Sequence, residues 1–211
     1  MENLQQAIDN ALIERHTRPV WETLKSAHVG IAGLGGLGSN IAVMLTRLGV
    51  GQLTLADFDR VDMTNLNRQH YMLSHLGQPK TEALARQLHD INPFVTLKLH
   101  PTRITEDNAA EIFSGCSIVC EAFDRPEAKA LLVNTLLAAH PEQKLVAASG
   151  MAGYGSANDI RTNKVMKHLY ICGDGYSGIE DDLSLMAPRA ALCAAHQANM
   201  VLRLLLGIEA P

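Results

Sequence analysis

The chain has 211 residues, 47% of them hydrophobic and 19% charged, which is the balance of a globular domain with enough length for a sizeable core. Its formal net charge of −4 and the lack of a Lys/Arg run interleaved with aromatics give no footprint for nucleic acid. Glu2, Gln5, Gln6 and Asp9 do not suit a signal peptide, and the apolar run 201–206 is too short to span a bilayer. A cytoplasmic protein, its four cysteines reduced, is expected.

Residues 3–14 read as a helix, with Leu4, Ile8 and Leu12 four apart and Ala7 and Ala11 beside them. That single apolar stripe must pack on something, either the same subunit or another. Arg15-His16-Thr17-Arg18-Pro19 should end the helix, because the residue before a proline is pushed out of the helical region. A second short helix over 20–25 leads into an apolar strand beginning at Val29. This strand runs straight into Gly33-Leu34-Gly35-Gly36-Leu37-Gly38-Ser39-Asn40 and a helix over 41–48. Strand, glycine turn, helix is the order of a phosphate-binding unit. Gly33 allows the sharp turn, Gly35 and Gly36 remove side chains where backbone meets phosphate, and Gly38 lets the helix sit close to the strand. The unpaired N–H groups of the helix's first turn then face the anion.

Residues 52–56 form a second strand ending in Asp57-Phe58-Asp59. An acid about 20 positions after the glycines is where a dinucleotide fold meets a ribose hydroxyl, and Asp57 fits that place. The plainer alternative is two acids in a turn. The polar stretch 61–70 should be a loop over the nucleotide, and Gly77-Gln78-Pro79-Lys80 opens a helix with Ala83, Leu84, Leu88 and Ile91 on one side. Lys80 falls in that helix's first turn, where a cation is mildly unfavourable. It is either a surface lysine or one placed to reach a phosphate.

Asn92-Pro93 breaks the helix, 95–99 gives a third strand, and Thr105 can cap a helix over 106–113. A fourth strand, 117–121, precedes Asp124, which stands where ligands bind at a strand's carboxyl end and can also cap a helix from Pro126 to about Ala139, two roles that can hold together. A fifth strand spans 144–148, two β segments lie near 159–164 and 169–172, and a long loop from Gly173 reaches Asp182. A helix over 188–206 closes the chain. These alternations predict one α/β domain, a mostly parallel sheet with helices on both faces and a short C-terminal β extension. The nucleotide core would cover 29–148, and the β tail and closing helix 149–206. Cys116 and Cys120, four apart in a strand, would lie about 13 Å apart and could not share a metal ion. Cys172 and Cys193 have no Cys or His partner at ligand spacing, and His70 and His75 sit in a loop with no obvious third ligand. No zinc site is expected, and Cys172 should be a half-buried strand residue.

Taken together, Gly33 to Ser39, Asp57-Phe58-Asp59-Arg60-Val61, Asn65-Leu66-Asn67-Arg68-Gln69, Gly77 with Lys80, Asn92-Pro93 and Asp124 resemble the ThiF/MoeB family, bacterial relatives of ubiquitin-activating enzymes. The resemblance covers about residues 29–125, and Met186-Ala187-Pro188 through His196-Gln197-Ala198 looks like the family's closing helix. The Asn-Leu-x-Arg-Gln element is far more specific than the glycine turn. The pattern is most similar to a short ThiF-like subgroup acting on the sulfur carrier ThiS.

The resemblance implies a Rossmann-like fold and adenylation of the C-terminal glycine of a small ubiquitin-fold carrier with MgATP, in thiamine thiazole biosynthesis. It places ATP on Gly33, Gly35, Gly36, Gly38, Asp57, Asp59, Asn65, Arg68, Gln69 and Lys80. Asp57 would hold the ribose, Asn65, Arg68 and Lys80 would surround the phosphates, and Asp124 would hold Mg²⁺. A homodimer is implied, with Arg15 or Arg18 reaching the partner's triphosphate. Longer members carry paired C-x-x-C zinc ligands, which this chain lacks, and some carry a crossover-loop cysteine where this chain has Glu180-Asp181-Asp182-Leu183. The competing readings are an NAD-dependent oxidoreductase, which leaves Arg68, Lys80 and Asp124 without roles, and a non-catalytic nucleotide-binding protein.

Overall fold

The computed structural model describes residues 2–178 and 184–211. The chain opens with α1 (Glu2–His16) and α2 (Arg18–Ser26), followed by β1 (His28–Ala32), α3 (Gly38–Leu48) and β2 (Gln52–Ala56). After a long connection come α4 (Lys80–Ile91), β3 (Thr96–His100), α5 (Glu106–Phe113), β4 (Ile118–Glu121), α6 (Pro126–Ala139) and β5 (Lys144–Ala148). The chain ends with β6 (Arg161–Met166), β7 (Leu169–Gly173) and α7 (Ala187–Leu205).

The strands form a seven-stranded sheet ordered β3-β2-β1-β4-β5-β7-β6. All pairs are parallel except β6 with β7. The β tail is thus no separate flap: β7 pairs in parallel with β5 and extends the main sheet, and β6 closes the edge. Side chains alternate between faces, so the central strands are apolar on both sides, as a parallel sheet covered by helices requires. Val29, Ile31, Leu53, Leu55, Ile118 and Cys120 meet α3, α4 and α7 through Ile41, Leu45, Leu84, Leu88 and Val201. Ala32, Ala56, Val119, Leu145 and Ala147 meet α5 and α6 through Phe113, Leu132 and Leu136.

The N-terminal break falls inside the expected stretch 15–19, but the proline is not what makes it. Arg18 precedes Pro19 yet is already helical, with Pro19 in the first turn of α2, where its missing N–H costs nothing. The turn is made instead at Thr17, whose φ of 74° is the only positive value among the described non-glycine residues. The stripe on α1 is partly covered, with Leu12 against Gly49 at the end of α3, while Leu4 stays exposed. Among the described residues, no helix is long and apolar enough to cross a membrane.

Candidate functional site

The sheet reverses its strand order between β1 and β4, which opens a crevice at the carboxyl ends of the strands. A cavity of about 300 Å³ lies there, lined by the glycine turn, the ends of β2, β3 and β4, and the start of α7. The turn is built as its glycines require. Gly33 has a φ of 90°, and a Cβ on Gly38 would lie 1.8 Å from the Gly33 carbonyl oxygen, so α3 can start there only without a side chain. Gly35 and Gly36 line the cavity, as a phosphate cradle needs.

Two side chains hold the turn from outside. The Leu34 N–H donates to Asp57 Oδ2 at 2.6 Å, and the Tyr71 hydroxyl donates to the Leu34 carbonyl at 2.9 Å. Burial pushes the Tyr71 phenol up, so it stays a donor. Burial also raises the Asp57 carboxyl, with the Lys80 charge pulling the other way. Asp57 therefore braces the phosphate turn besides standing where a ribose would lie, a role its position in the sequence did not reveal. Its other oxygen accepts the Asp59 N–H at 2.8 Å.

Lys80 is 5% exposed, yet it lines the cavity, and its Nζ lies 3.0 Å from Asp59 Oδ2. That carboxylate offsets the unfavourable position of a cation at a helix start. Arg68 also lines the cavity, with Nη1 donating to the Thr64 carbonyl at 3.0 Å and to Asn67 Oδ1 at 2.8 Å. Gln69 is 9% exposed, and its amide oxygen is buried without a partner among the described residues. Asp124 lines the opposite wall and is exposed. It does not cap α6: the N-cap is Arg125, without a side-chain cap bond.

Three groups of candidates lie outside this wall. Asn65 uses its amide oxygen to accept the Asp62 N–H at 3.1 Å, closing a reciprocal cap on the 3₁₀ turn Met63–Asn65. Gly38 acts through packing. Arg15 and Arg18 are exposed at the α1–α2 junction, and neither lines the cavity. Sequence reasoning missed Thr102, Arg103 and Met151 on the wall, although the rule that ligands bind at strand carboxyl ends points to the segment after β3.

A second polar cluster stands beside the cavity. Arg189 in α7 pairs with Asp174 and donates to the Ser156 carbonyl at 2.9 Å and the Met151 carbonyl at 3.4 Å. Nothing in the sequence marked this pair, whose members are 15 residues apart. Behind β4, the buried Glu121 carboxylate meets Lys129 Nζ at 3.0 Å, while Gln197 Nε2 donates at 2.9 Å to both the Glu121 and Val146 carbonyls.

The cysteines are inert in this setting. Cys172 is fully buried rather than half-buried, and burial pushes its thiol up to about 11. Burial drives Cys116 to about 11 and Cys193 to about 12. Cys120 lies in β4, but Cys116 precedes the strand. Among the described residues no three His, Cys, Asp or Glu side chains converge as a metal site. The stretch Glu180-Asp181-Asp182-Leu183 lies outside the described residues.

Comparison with known proteins agrees with this architecture. The chain is 43% identical over 108 residues to tRNA threonylcarbamoyladenosine dehydratase of Bacillus subtilis, covering 49% of this chain and 41% of that protein. It is 41% identical over 104 residues to molybdopterin-synthase adenylyltransferase of Salmonella typhimurium (49% and 42%), and 38% identical over 104 residues to sulfur carrier protein adenylyltransferase of Thermus thermophilus (49% and 38%). The matched segment thus spans less than half of each relative. The fold is that of E. coli tRNA N6-threonylcarbamoyladenosine dehydratase in complex with ATP, with a TM-score of 0.85 at 22% identity over 94% of this chain and 93% of that one. The ThiF family matches residues 9–211, nearly the whole chain, and the protein belongs to that family.

Proposed function

We propose that this protein is an ATP-dependent adenylyltransferase that activates the C-terminal glycine carboxylate of a small ubiquitin-fold sulfur carrier. The observation that carries this reading is the convergence of the glycine turn, Arg68, Lys80 and Asp124 on one cavity at the sheet's switch point. A carboxylate with an ordinary pKa near 3.5 is already ionised at neutral pH, so it needs no general base. One of its oxygens attacks the α-phosphorus of ATP, forming an acyl-adenylate as the bond to the pyrophosphate oxygen breaks and pyrophosphate leaves. The work is positioning and charge neutralisation, which suits backbone N–H groups, Arg68 and Lys80. Asp124 fits Mg²⁺, because one exposed carboxylate completed by phosphate oxygens and water is that ion's usual donor set. The ion would supply further neutralisation of the triphosphate.

Carrier-dependent exchange of labelled pyrophosphate into ATP tests the reading. Exchange is expected with a ThiS-like carrier, and Asp124→Ala should shift the Mg²⁺ titration of that exchange to higher concentration. Silence with every carrier offered would remove the proposal. An unchanged metal titration in the variant would remove Asp124 from the metal site. The sulfur carrier protein adenylyltransferase among the relatives supports a sulfur-carrier partner, and a ThiS-like carrier with a place in thiazole synthesis is the finer part of the same proposal. A second reading has its own support in the 43% identity to the tRNA dehydratase: the carboxylate activated would belong to a modified tRNA nucleoside. The net charge of −4 favours the protein carrier. Exchange driven by tRNA instead of carrier would decide for the tRNA.

In the same proposal the enzyme is a homodimer. The uncovered half of the α1 stripe would lie against the neighbouring subunit, with Arg15 or Arg18 serving the partner's triphosphate. No thiol takes part in adenylation. Cys172→Ser should leave exchange intact and form no less carrier conjugate than the parent, read on gels run with and without reductant. A reductant-sensitive enzyme–carrier adduct that this substitution abolishes would overturn that assignment.

A further inference from the structure

The cavity wall contributed by β2 and β3 holds a pair that neither the glycine turn nor the phosphate-facing charges explain. The Arg103 guanidinium lies 3.8 Å above the Phe58 ring, and both residues line the cavity. Phe58 directly follows Asp57 at the end of β2, and Arg103 follows β3 by three residues. The stack is braced from behind. Asn108 Nδ2 donates to the Arg103 carbonyl at 2.9 Å, and its amide oxygen accepts the Thr105 N–H at 2.8 Å, so α5 fixes the segment that carries the arginine. Asp57 N–H in turn donates to the His100 carbonyl at 3.2 Å, which ties the ends of the two strands together.

The strand order turns this wall into a ruler. The glycine turn follows β1, Asp57 ends β2, and Arg103 follows β3, three neighbours in the sheet. A nucleotide with phosphates on the turn and ribose at Asp57 therefore points its base toward the end of β3, about 10 Å from the turn at two strand spacings. There it meets a planar cation whose central carbon lies 3.8 Å from the centre of an aromatic ring. A guanidinium plane stacks on aromatic faces where an ammonium cannot.

We propose that Arg103, held on Phe58, is the shelf on which the nucleobase of the bound nucleotide stacks. This rests on the ATP-dependent reading above. Stacking uses the face that every base possesses, so the shelf contributes affinity without choosing between purines.

The test is nucleotide binding by calorimetry to the full chain without carrier, using ATP, GTP and ribose 5-triphosphate, which has no base. Arg103→Ala should weaken ATP and GTP alike by about 10-fold, the scale of one lost stacking contact. Ribose 5-triphosphate should bind the parent and the variant equally. Arg103→Lys should fail to restore ATP affinity, because it returns the charge without the plane, and Phe58→Leu should weaken ATP in the same direction. Arg103 is exposed, so these variants are expected to fold. Equal losses for ATP and ribose 5-triphosphate would make Arg103 a phosphate contact and overturn the proposal, as would full rescue by lysine or unchanged ATP affinity in Arg103→Ala. Those results leave the ATP-dependent reading standing, whereas a parent protein that binds no nucleotide would overturn both.

Discussion

Arg68→Ala and Lys80→Ala should each lower carrier-dependent pyrophosphate exchange by about 10²–10³-fold, roughly 2.7–4 kcal/mol of transition-state stabilisation. As the bond between the α-phosphorus and the bridging oxygen breaks, negative charge builds on that oxygen of the departing pyrophosphate, and Arg68 and Lys80 are cations on the cavity wall beside the glycine turn. Lys80 is held by its 3.0 Å contact with Asp59, and Arg68 by hydrogen bonds from Nη1 to Thr64 and Asn67. Lys80→Ala leaves its ion-pair partner Asp59 with a side chain 47% exposed, and the buried Asp57 carboxyl, though it loses the nearby Lys80 charge, keeps the N–H donors of Leu34 and Asp59. The activity loss should therefore exceed any loss of stability. Steady-state exchange with unfolding midpoints measured alongside separates the two, and near-normal rates in both variants would sink the mechanism.

Arg189→Leu should have the largest effect on stability. The side chains of Arg189 and Asp174 are 6% and 1% exposed, and the arginine ties the connection after β5 and the loop after β7 to the start of α7. Removing one partner of a buried pair costs about 3–5 kcal/mol, because the remaining charge loses its compensation. Arg189→Lys should recover only part of it, since lysine lacks the fork that reaches the Met151 and Ser156 carbonyls. Burial alone would raise the Asp174 carboxyl, but hydrogen bonds from Ser177 and Tyr176 and the Arg189 charge outweigh it and hold the group below its ordinary value of 3.8. With a depressed folded-state value, the pair's contribution is complete above the ordinary value and is lost as pH falls through the lower one. Denaturant unfolding of parent and variant at neutral pH should thus differ strongly, and the gap should close as pH falls below about 3.8. A variant with the parent's midpoint at neutral pH would show that the pair carries no net stability.

The order of elements was legible because each carries its own local signal. The boundaries of β2, α5, α6 and β5 follow from apolar runs and breakers within a few residues of each. Gly33 and Gly38 were readable for the same reason, since their lack of a Cβ serves the turn in which they stand. The N-terminal break was legible as the stretch 15–19, but its cause was not, because the restriction before Pro19 was given more weight than the tolerance of proline in a helix's first turn. The burial of Cys172 was underestimated because β7 joins the main sheet in parallel and is covered by α7, which no local pattern shows.

The sequence by itself determined the strand–turn–helix unit, the α/β alternation, the family, and the candidates Arg68, Lys80 and Asp124, because periodicity, glycine placement and motif order are properties of neighbours along the chain. Only the tertiary structure decided which candidates share a wall. It used Asn65 for a local cap, left Arg15 and Arg18 outside the cavity, made Asp57 and Tyr71 braces of the glycine turn, and joined Asp174 to Arg189. The physical reason is the strand order 3-2-1-4. It sets residues far apart in the chain side by side at the ends of adjacent strands, and the hydrogen bonds they form there depend on that adjacency.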